Sequence, residues 1–183
     1  MSWFKKLLPR ISTAQKKGVP EGVWSQCAAC ATIIYRAELE RNLFVCPKCS
    51  HHLRLSARKR LELFFDPNTS EEIGEQVLAV DRLKFKDSKR YRDRLAQACK
   101  STAEKEALVV CHGAVEGLRL VACAFDFDFI GGSMSSAVGT RFVIGAQYAL
   151  SQGLPLVCFS TSGGARMQEG LFSLFQMGKT AAV

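Results

Sequence analysis

The hydrophobic pattern of the chain changes character near its middle. Residues 107–115 and 118–125 are β-branched and apolar, and Glu116-Gly117 separates them, which predicts a β-hairpin. After the aromatic–acidic run 125–129 comes a loop, Ile130-Gly131-Gly132-Ser133-Met134-Ser135-Ser136. An apolar-faced helix is expected over 138–152, with Gly153 as the residue that ends it and Pro155 just beyond. Residues 154–159 read as a short buried strand, 160–165 as a tight turn, and the segment from Arg166 onward as another helix. Hairpin, helix, strand, helix is an α/β layer pattern. Upstream, Ser56 offers an N-cap to a helix over 57–65, ended by Asp66-Pro67. Residues 66–87 are acidic, mixed and turn-rich, as in a connector. Ser88 offers the cap of a second helix running to about residue 102. Its apolar face holds Tyr91, Leu95 and Cys99, while Arg92, Asp93 and Lys100 face water.

The first third follows a different logic. Cys27 and Cys30, then Cys46 and Cys49, form two C-x2-C pairs separated by fifteen residues, the spacing of a zinc ribbon. A short hairpin within 31–45 would bring the pairs together. Four thiolates close a tetrahedral shell and leave no open position, so one structural Zn²⁺ is expected. An iron–sulfur cluster, a disulfide pair and a redox C-x2-C are the alternatives. His51 and His52 read as solvated or packed. Cys99, Cys111, Cys123 and Cys158 stand singly, most of them in apolar runs, and read as small buried hydrophobes. The expected organisation is a basic arm over 1–22, the ribbon over 23–55, a helical connector over 56–105 and the α/β segment over 106–183.

Charge sharpens this division. The formal net charge is +8, made of +9 over residues 1–60, −1 over 61–110 and 0 over 111–183. A basic head wants an anionic partner: nucleic acid, a phosphorylated ligand or an acidic protein face. No apolar run approaches the roughly 20 residues of a membrane span. The N-terminus lacks the apolar core and cleavage site of a secretory signal, so a cytoplasmic setting is expected, or the plastid stroma for a plastid-encoded chain.

The candidate chemistry lies in two glycine loops. Ser162-Gly163-Gly164-Ala165 falls between the expected strand and the expected helix start. Glycines there turn the backbone sharply and aim its N–H groups outward. Two such donors suit an oxyanion or enolate oxygen, and a helix N-terminus would add positive potential. A tight turn with no chemistry is the alternative. Gly131-Gly132-Ser133 is a second such loop. Neither has the G-x4-G-K-[ST] pattern of a phosphate loop. Asp126 and Asp128 read as solvated or hydrogen-bonded, His112 as structural, and no triad or carboxylate pair stands out. Catalysis, if present, would rest on backbone donors.

Three segments together resemble one family: C-A-A-C…C-P-K-C-S-H-H at 27–52, D-F-D-F-I-G-G-S-M at 126–134, and T-S-G-G-A-R-M-Q-E-G at 161–170. They are similar to the carboxyltransferase β subunit of the multi-subunit, bacterial and plastid type of acetyl-CoA carboxylase. The resemblance implies the first half of a crotonase-like ββα superhelix behind a four-cysteine zinc ribbon. It implies transfer of a carboxyl group from carboxybiotin, borne by a biotin carboxyl carrier protein, to acetyl-CoA, giving malonyl-CoA for fatty acid synthesis. The implied partners are subunit α in an α2β2 carboxyltransferase, the carrier protein and biotin carboxylase. Gly163 and Gly164 would be the catalytic backbone donors, and Gly131, Gly132 and Ser133 would lie near the acyl-CoA. Ser135 stands where the family commonly has Gly. Family members run considerably further than Val183, so a chain of this length is expected to be inactive and poorly stable alone.

The competing expectation is a binding module, in which a basic ribbon grips RNA or DNA and the α/β part is a scaffold. Arg54, Arg58, Lys59 and Arg60 would supply phosphate contacts. A third is pure assembly, with the ribbon docking subunit α.

Overall fold

In the computed structural model, which describes residues 22–183, the chain divides into two compact units, one ending at Leu53 and one spanning Arg54–Val183. The basic arm expected over 1–22 lies outside the described residues, Gly22 apart.

In the first unit, β1 (Trp24–Gln26) pairs antiparallel with β2 (Ile33–Tyr35), and α1 (Arg36–Arg41) follows at once. The hairpin expected between the two cysteine pairs instead encloses the first of them. Cys27 and Cys30 sit in its turn, where Cys27 N–H donates to Thr32 O and Ala31 N–H to Cys27 O, both at 2.9 Å. The second pair has a matching closure: Val45 and His52 pair as an antiparallel bridge, and Cys46 N–H donates to His51 O at 2.8 Å. Each knuckle is therefore closed by its own strand pairing, because a C-x2-C must fold tightly enough for both sulfurs to face one centre. Ile34 and Leu39 are buried against Cys27 and Cys46 and form the small core.

The second unit is built on a four-stranded sheet of β3 (Glu71–Glu72), β4 (Leu108–Val115), β5 (Leu118–Phe125) and β6 (Leu156–Phe159), in that order. The hairpin is as expected: β4 (Leu108–Val115) and β5 (Leu118–Phe125) pair in full register, Leu108 with Phe125 through Val115 with Leu118. The Asp66 carboxylate accepts the N–H groups of both turn residues, Glu116 at 3.0 Å and Gly117 at 2.9 Å. The strands are buried on both faces, which explains their unbroken apolar runs. Leu108, Val110, Val121 and Cys123 meet α4 (Ser136–Gln152) on one side. Val109, Cys111, Leu120 and Ala122 meet α2 (Ala57–Phe64) on the other. The route β5–α4–β6 (Leu156–Phe159) is a crossover that returns β6 parallel to β5, with Val121 opposite Leu156 and Ala124 opposite Phe159. β6 is the end strand and is half-exposed rather than buried.

Three further expectations change. The connector contributes β3 (Glu71–Glu72), paired antiparallel with β4 at His112 and Cys111. Its later part is held by Arg141, a buried side chain that donates to Val77 O at 3.0 Å, Leu108 O at 2.8 Å and Glu75 O at 3.1 Å. Second, Ser88 is not a cap. α3 (Tyr91–Thr102) starts after Arg90, because the Asp87 carboxylate accepts Lys89 N–H at 2.9 Å and the Arg94 guanidinium at 2.7 Å, folding 87–89 into a turn of its own. Third, the last helix does not begin at Arg166. Residue 166 is extended, a turn of 3-10 helix covers Met167–Glu169, and α5 spans Leu171–Ala181.

Candidate functional site

The four ribbon sulfurs lie within 4.8 Å of one another. Cys27 and Cys49 Sγ are 3.7 Å apart, and Cys30 and Cys46 Sγ 3.8 Å. Four sulfurs placed tetrahedrally at the zinc–thiolate distance of about 2.3 Å are separated by about 3.8 Å, so the cage fits that ion. The Thr32 hydroxyl, 3.3 Å from Cys30 Sγ, favours the Cys30 thiolate and brings its pKa down to about 6. At Cys49 a backbone hydrogen bond at His51 favours ionisation, but desolvation and the three neighbouring sulfurs overrule it and push the pKa up to about 12. A bound dication relieves that crowding by deprotonating coordinated thiols. Both histidines after Cys49 are exposed and outside the sulfur cluster, as expected.

The two glycine loops, some thirty residues apart in sequence, meet in space. Met134 N–H donates to Gly164 O at 2.8 Å and Arg166 N–H to Met134 O at 2.9 Å, a short parallel bridge between Met134 and Ala165. Gly163 N–H donates to Gly131 O at 2.8 Å. The contact is so close that a Cβ at Gly132 would collide with the Thr161 carbonyl oxygen. Gly164 takes φ +98°, a conformation open to glycine and strained for other residues, and its N–H donates to Ser162 Oγ at 3.1 Å. Gly163 N–H is therefore committed within the protein, and of the two expected donors Gly164 N–H is the one that meets only an exposed hydroxyl. The potential of a helix N-terminus does not act at this turn, since α5 starts seven residues after Gly164. Beside it opens a cavity of about 330 Å³, lined by Phe125, Met134, Val138, Phe142 and Cys158 with Ser160 and Ser162 at its polar end.

A buried polar network locks the loops in place. The Arg166 guanidinium donates to Glu106 Oε1 at 2.6 Å, Glu106 Oε2 at 3.0 Å, Ser133 Oγ at 2.9 Å and Ser133 O at 2.8 Å, and its plane lies near the Phe129 ring. Its Nη1 also donates to Tyr91 Oη at 3.2 Å; that hydroxyl in turn donates to Glu169 Oε1 at 2.8 Å. The second Glu169 oxygen accepts Ser136 N–H at 2.7 Å, at the start of α4. Burial pushes the Tyr91 phenol upward, so it remains a donor. Ser135 caps α4: its Oγ accepts Val138 N–H at 3.0 Å and donates to Glu106 Oε2 at 2.9 Å. Its φ of −90° is ordinary, so the serine at this point leaves the loop unstrained.

Residues 74–183 match the model of the carboxyl transferase domain, which is more than half of the chain. The chain belongs to the carboxyl transferase family. Residues 24–49 match the acetyl-CoA carboxylase zinc finger domain, the segment that holds the four sulfurs. Among solved structures, the chain is similar to transcarboxylase 12S in a form with hydrolysed methylmalonyl-coenzyme A bound (30% identity, TM-score 0.56). A second form of that enzyme, with methylmalonyl-coenzyme A and methylmalonic acid bound, gives 31% identity and a TM-score of 0.52. Each match covers 69% of this chain and 22% of the transcarboxylase chain, so this chain spans about a fifth of the length of those relatives. The β subunit of P. aeruginosa geranyl-CoA carboxylase shares the fold at 20% identity, with a TM-score of 0.52 over 80% of this chain and 23% of that one. The expected crotonase-like α/β fold behind a four-cysteine ribbon is thus the fold of a carboxyl transferase.

The residues of the buried network that the sequence pattern does not single out are Arg166, Glu106, Tyr91 and Glu169. Tyr91 was assigned to an apolar helix face, and it is indeed buried. The available signal was Arg166 and Glu169, two charges of opposite sign three residues apart directly after a glycine turn. Asp126, one of the two carboxylates of unsettled environment, is buried and accepts Ala57 N–H at 3.2 Å. Asp128 is exposed and pairs with Arg54 at 3.2 Å. No helix among the described residues is long and apolar enough to cross a membrane.

Proposed function

We propose that the chain is the β-type carboxyltransferase component of acetyl-CoA carboxylase, acting with a subunit α to move a carboxyl group from carboxybiotin on a carrier protein to acetyl-CoA. The observation that carries this reading is the union, in one chain, of the acetyl-CoA carboxylase type of zinc ribbon with a carboxyl transferase domain. The transcarboxylase relatives bind methylmalonyl-coenzyme A, which supports an acyl-CoA as the ligand class. Carboxybiotin supplies the carboxyl group and, on releasing it, the base. The acetyl methyl group loses a proton, and the charge moves to the thioester oxygen. Gly164 N–H is the donor placed for that oxygen, which displaces Ser162 Oγ from it. Gly163 ties the turn to Gly131, which fixes the donor in position before the charge develops. The loop Gly131–Ser133 borders the acyl-CoA through this tie. Cys27, Cys30, Cys46 and Cys49 would hold a zinc that ties the ribbon together and, with four thiolates leaving no open position, would take no part in the chemistry.

The test is product formation. The zinc-loaded chain, combined with subunit α and a carboxybiotinylated carrier, is offered acetyl-CoA and propionyl-CoA separately. Malonyl-CoA is the expected product, and the chain without subunit α gives none. Turnover of propionyl-CoA alone would overturn the acetyl assignment, and full turnover by the isolated chain would overturn its role as a component.

The nucleic-acid reading has less support. Of the four cations proposed for it, Arg54 pairs with Asp128, Arg58 with Glu104 and Glu72, and Lys59 with Glu62. Residues 22–53 carry only Arg36, Arg41 and Lys48 against Glu38 and Glu40.

A further inference from the structure

We propose that Cys158 and Cys123 form a dithiol site at the edge of the sheet, which low-molecular-weight disulfides oxidise to a cross-strand disulfide. The two cysteines are direct partners in the parallel register of β5 and β6. Partners in a parallel pair present their side chains to the same face, on strands about 4.8 Å apart. That spacing falls within the roughly 4.4–6.8 Å between the Cα atoms of disulfide-bonded residues. In the reduced state Cys123 Sγ donates to Val157 O at 3.6 Å, so closing the link requires its thiol to turn from that carbonyl toward Cys158.

The two thiols divide the work. Cys158 is exposed and lines the cavity beside the 162–164 turn, so a reagent reaches it. Cys123 is 1% exposed and is reached only through Cys158. Their interaction lowers the pKa of Cys158, and the same interaction together with burial raises that of Cys123. Cys158 therefore attacks first. Its thiolate forms a bond to one sulfur of the reagent R–S–S–R and expels R–S⁻, leaving a mixed disulfide. Cys123, losing its proton, then attacks the Cys158 sulfur and expels the second R–S⁻. Overall, two protein thiols and one R–S–S–R become one protein disulfide and two R–SH. Cys111 does not compete: it lies on the opposite face of the sheet, and its partner in β5 is Ala122.

The experiment uses the zinc-loaded chain and oxidised glutathione, followed by alkylation and non-reducing tryptic mapping. The expected product joins the peptides 120–141 and 142–166, with the loss of two hydrogens and no glutathione retained. Cys158→Ser abolishes the link. Cys123→Ser, with Cys123→Ala as the substitute if it folds poorly, traps glutathione on Cys158. Two results would overturn the proposal: glutathione remaining on Cys158 in the unaltered chain, or Cys158 staying unmodified while circular dichroism and zinc content show a folded protein.

Discussion

Arg166 and Glu106 stand sixty residues apart in sequence and form a forked ion pair, with Nη2 to Oε1 at 2.6 Å and Nη1 to Oε2 at 3.0 Å. Both side chains are fully out of solvent. The pair joins the bend between α3 and β4 to the residue after the second glycine turn, and Ser133 and Ser135 bring the first loop into the same network. Removing one partner of a buried pair leaves an uncompensated charge and costs about 3–5 kcal/mol. Glu106→Leu and Arg166→Met are each expected to lose that much in denaturant unfolding. The double variant is expected to lose much less than the sum, because the second change removes the stranded charge. Additive losses would show that the two side chains act independently.

The Asp87–Arg94 contact makes a separate, pH-dependent prediction. The Arg94 hydrogen bonds hold the Asp87 carboxyl below its ordinary value. A folded-state pKa below the unfolded value means stability that is present above the unfolded value of about 3.9 and lost as pH falls through the folded one. Arg94→Met is expected to raise the Asp87 titration, followed by carboxyl NMR, toward the ordinary value of about 3.9 but not fully to it, because Lys89 N–H still donates to the carboxylate. It also flattens the acid limb of the stability profile. An unchanged midpoint in the variant would mean that the backbone donor at Lys89, not Arg94, sets the shift.

These two pairs show where sequence patterning stops being informative. Cap and stop residues mark α2, and apolar patterning marks the hairpin β4–β5, the body of α4 and β6, because burial on one or both faces writes itself into residue order. It misplaced the starts of α3 and α5. At Ser88 a favourable cap residue lost to a local turn held by Asp87, and at Arg166 the backbone paired with Met134, thirty-two residues earlier. Long-range polar contacts leave no period in the sequence. The glycine loops were visible as two sites of backbone freedom, and the four cysteines as one centre. That the loops touch, and that their contact takes up Gly163 N–H, required the fold.

For the ribbon, metal analysis is expected to give about one zinc per chain. Cys27→Ala removes one of four thiolates and is expected to lose the metal and the amide-exchange protection of residues 24–53. The core there is small, with Ile34 and Leu39 packed on the cysteines themselves. His51→Ala and His52→Ala are expected to retain the zinc, since both rings are exposed and His51 contributes through its backbone carbonyl. Zinc loss in either histidine variant would place an imidazole in the shell.

Gly131 and Gly132 provide the sharpest test of the contact between the loops. Both have positive φ, +65° and +63°, so alanine at either carries the same backbone cost of about 1–2 kcal/mol. Their surroundings differ. A Cβ at Gly131 faces open space among the described residues, whereas one at Gly132 meets the Thr161 carbonyl oxygen and comes within 3.4 Å of Ser162 Cα. Gly131→Ala is therefore expected to lose only the backbone cost and to keep the Gly163 N–H to Gly131 O bond, which uses the main chain alone. Gly132→Ala must push residues 161–162 away, and overpacking adds about 1–3 kcal/mol. Because Ser162 and Gly164 move with that segment, carboxyl transfer is expected to fall further in Gly132→Ala than in Gly131→Ala. Unfolding midpoints and the exchange rate of the Gly163 amide distinguish the two. Equal losses and equally protected Gly163 amides in both variants would mean that the loops are not in contact as described.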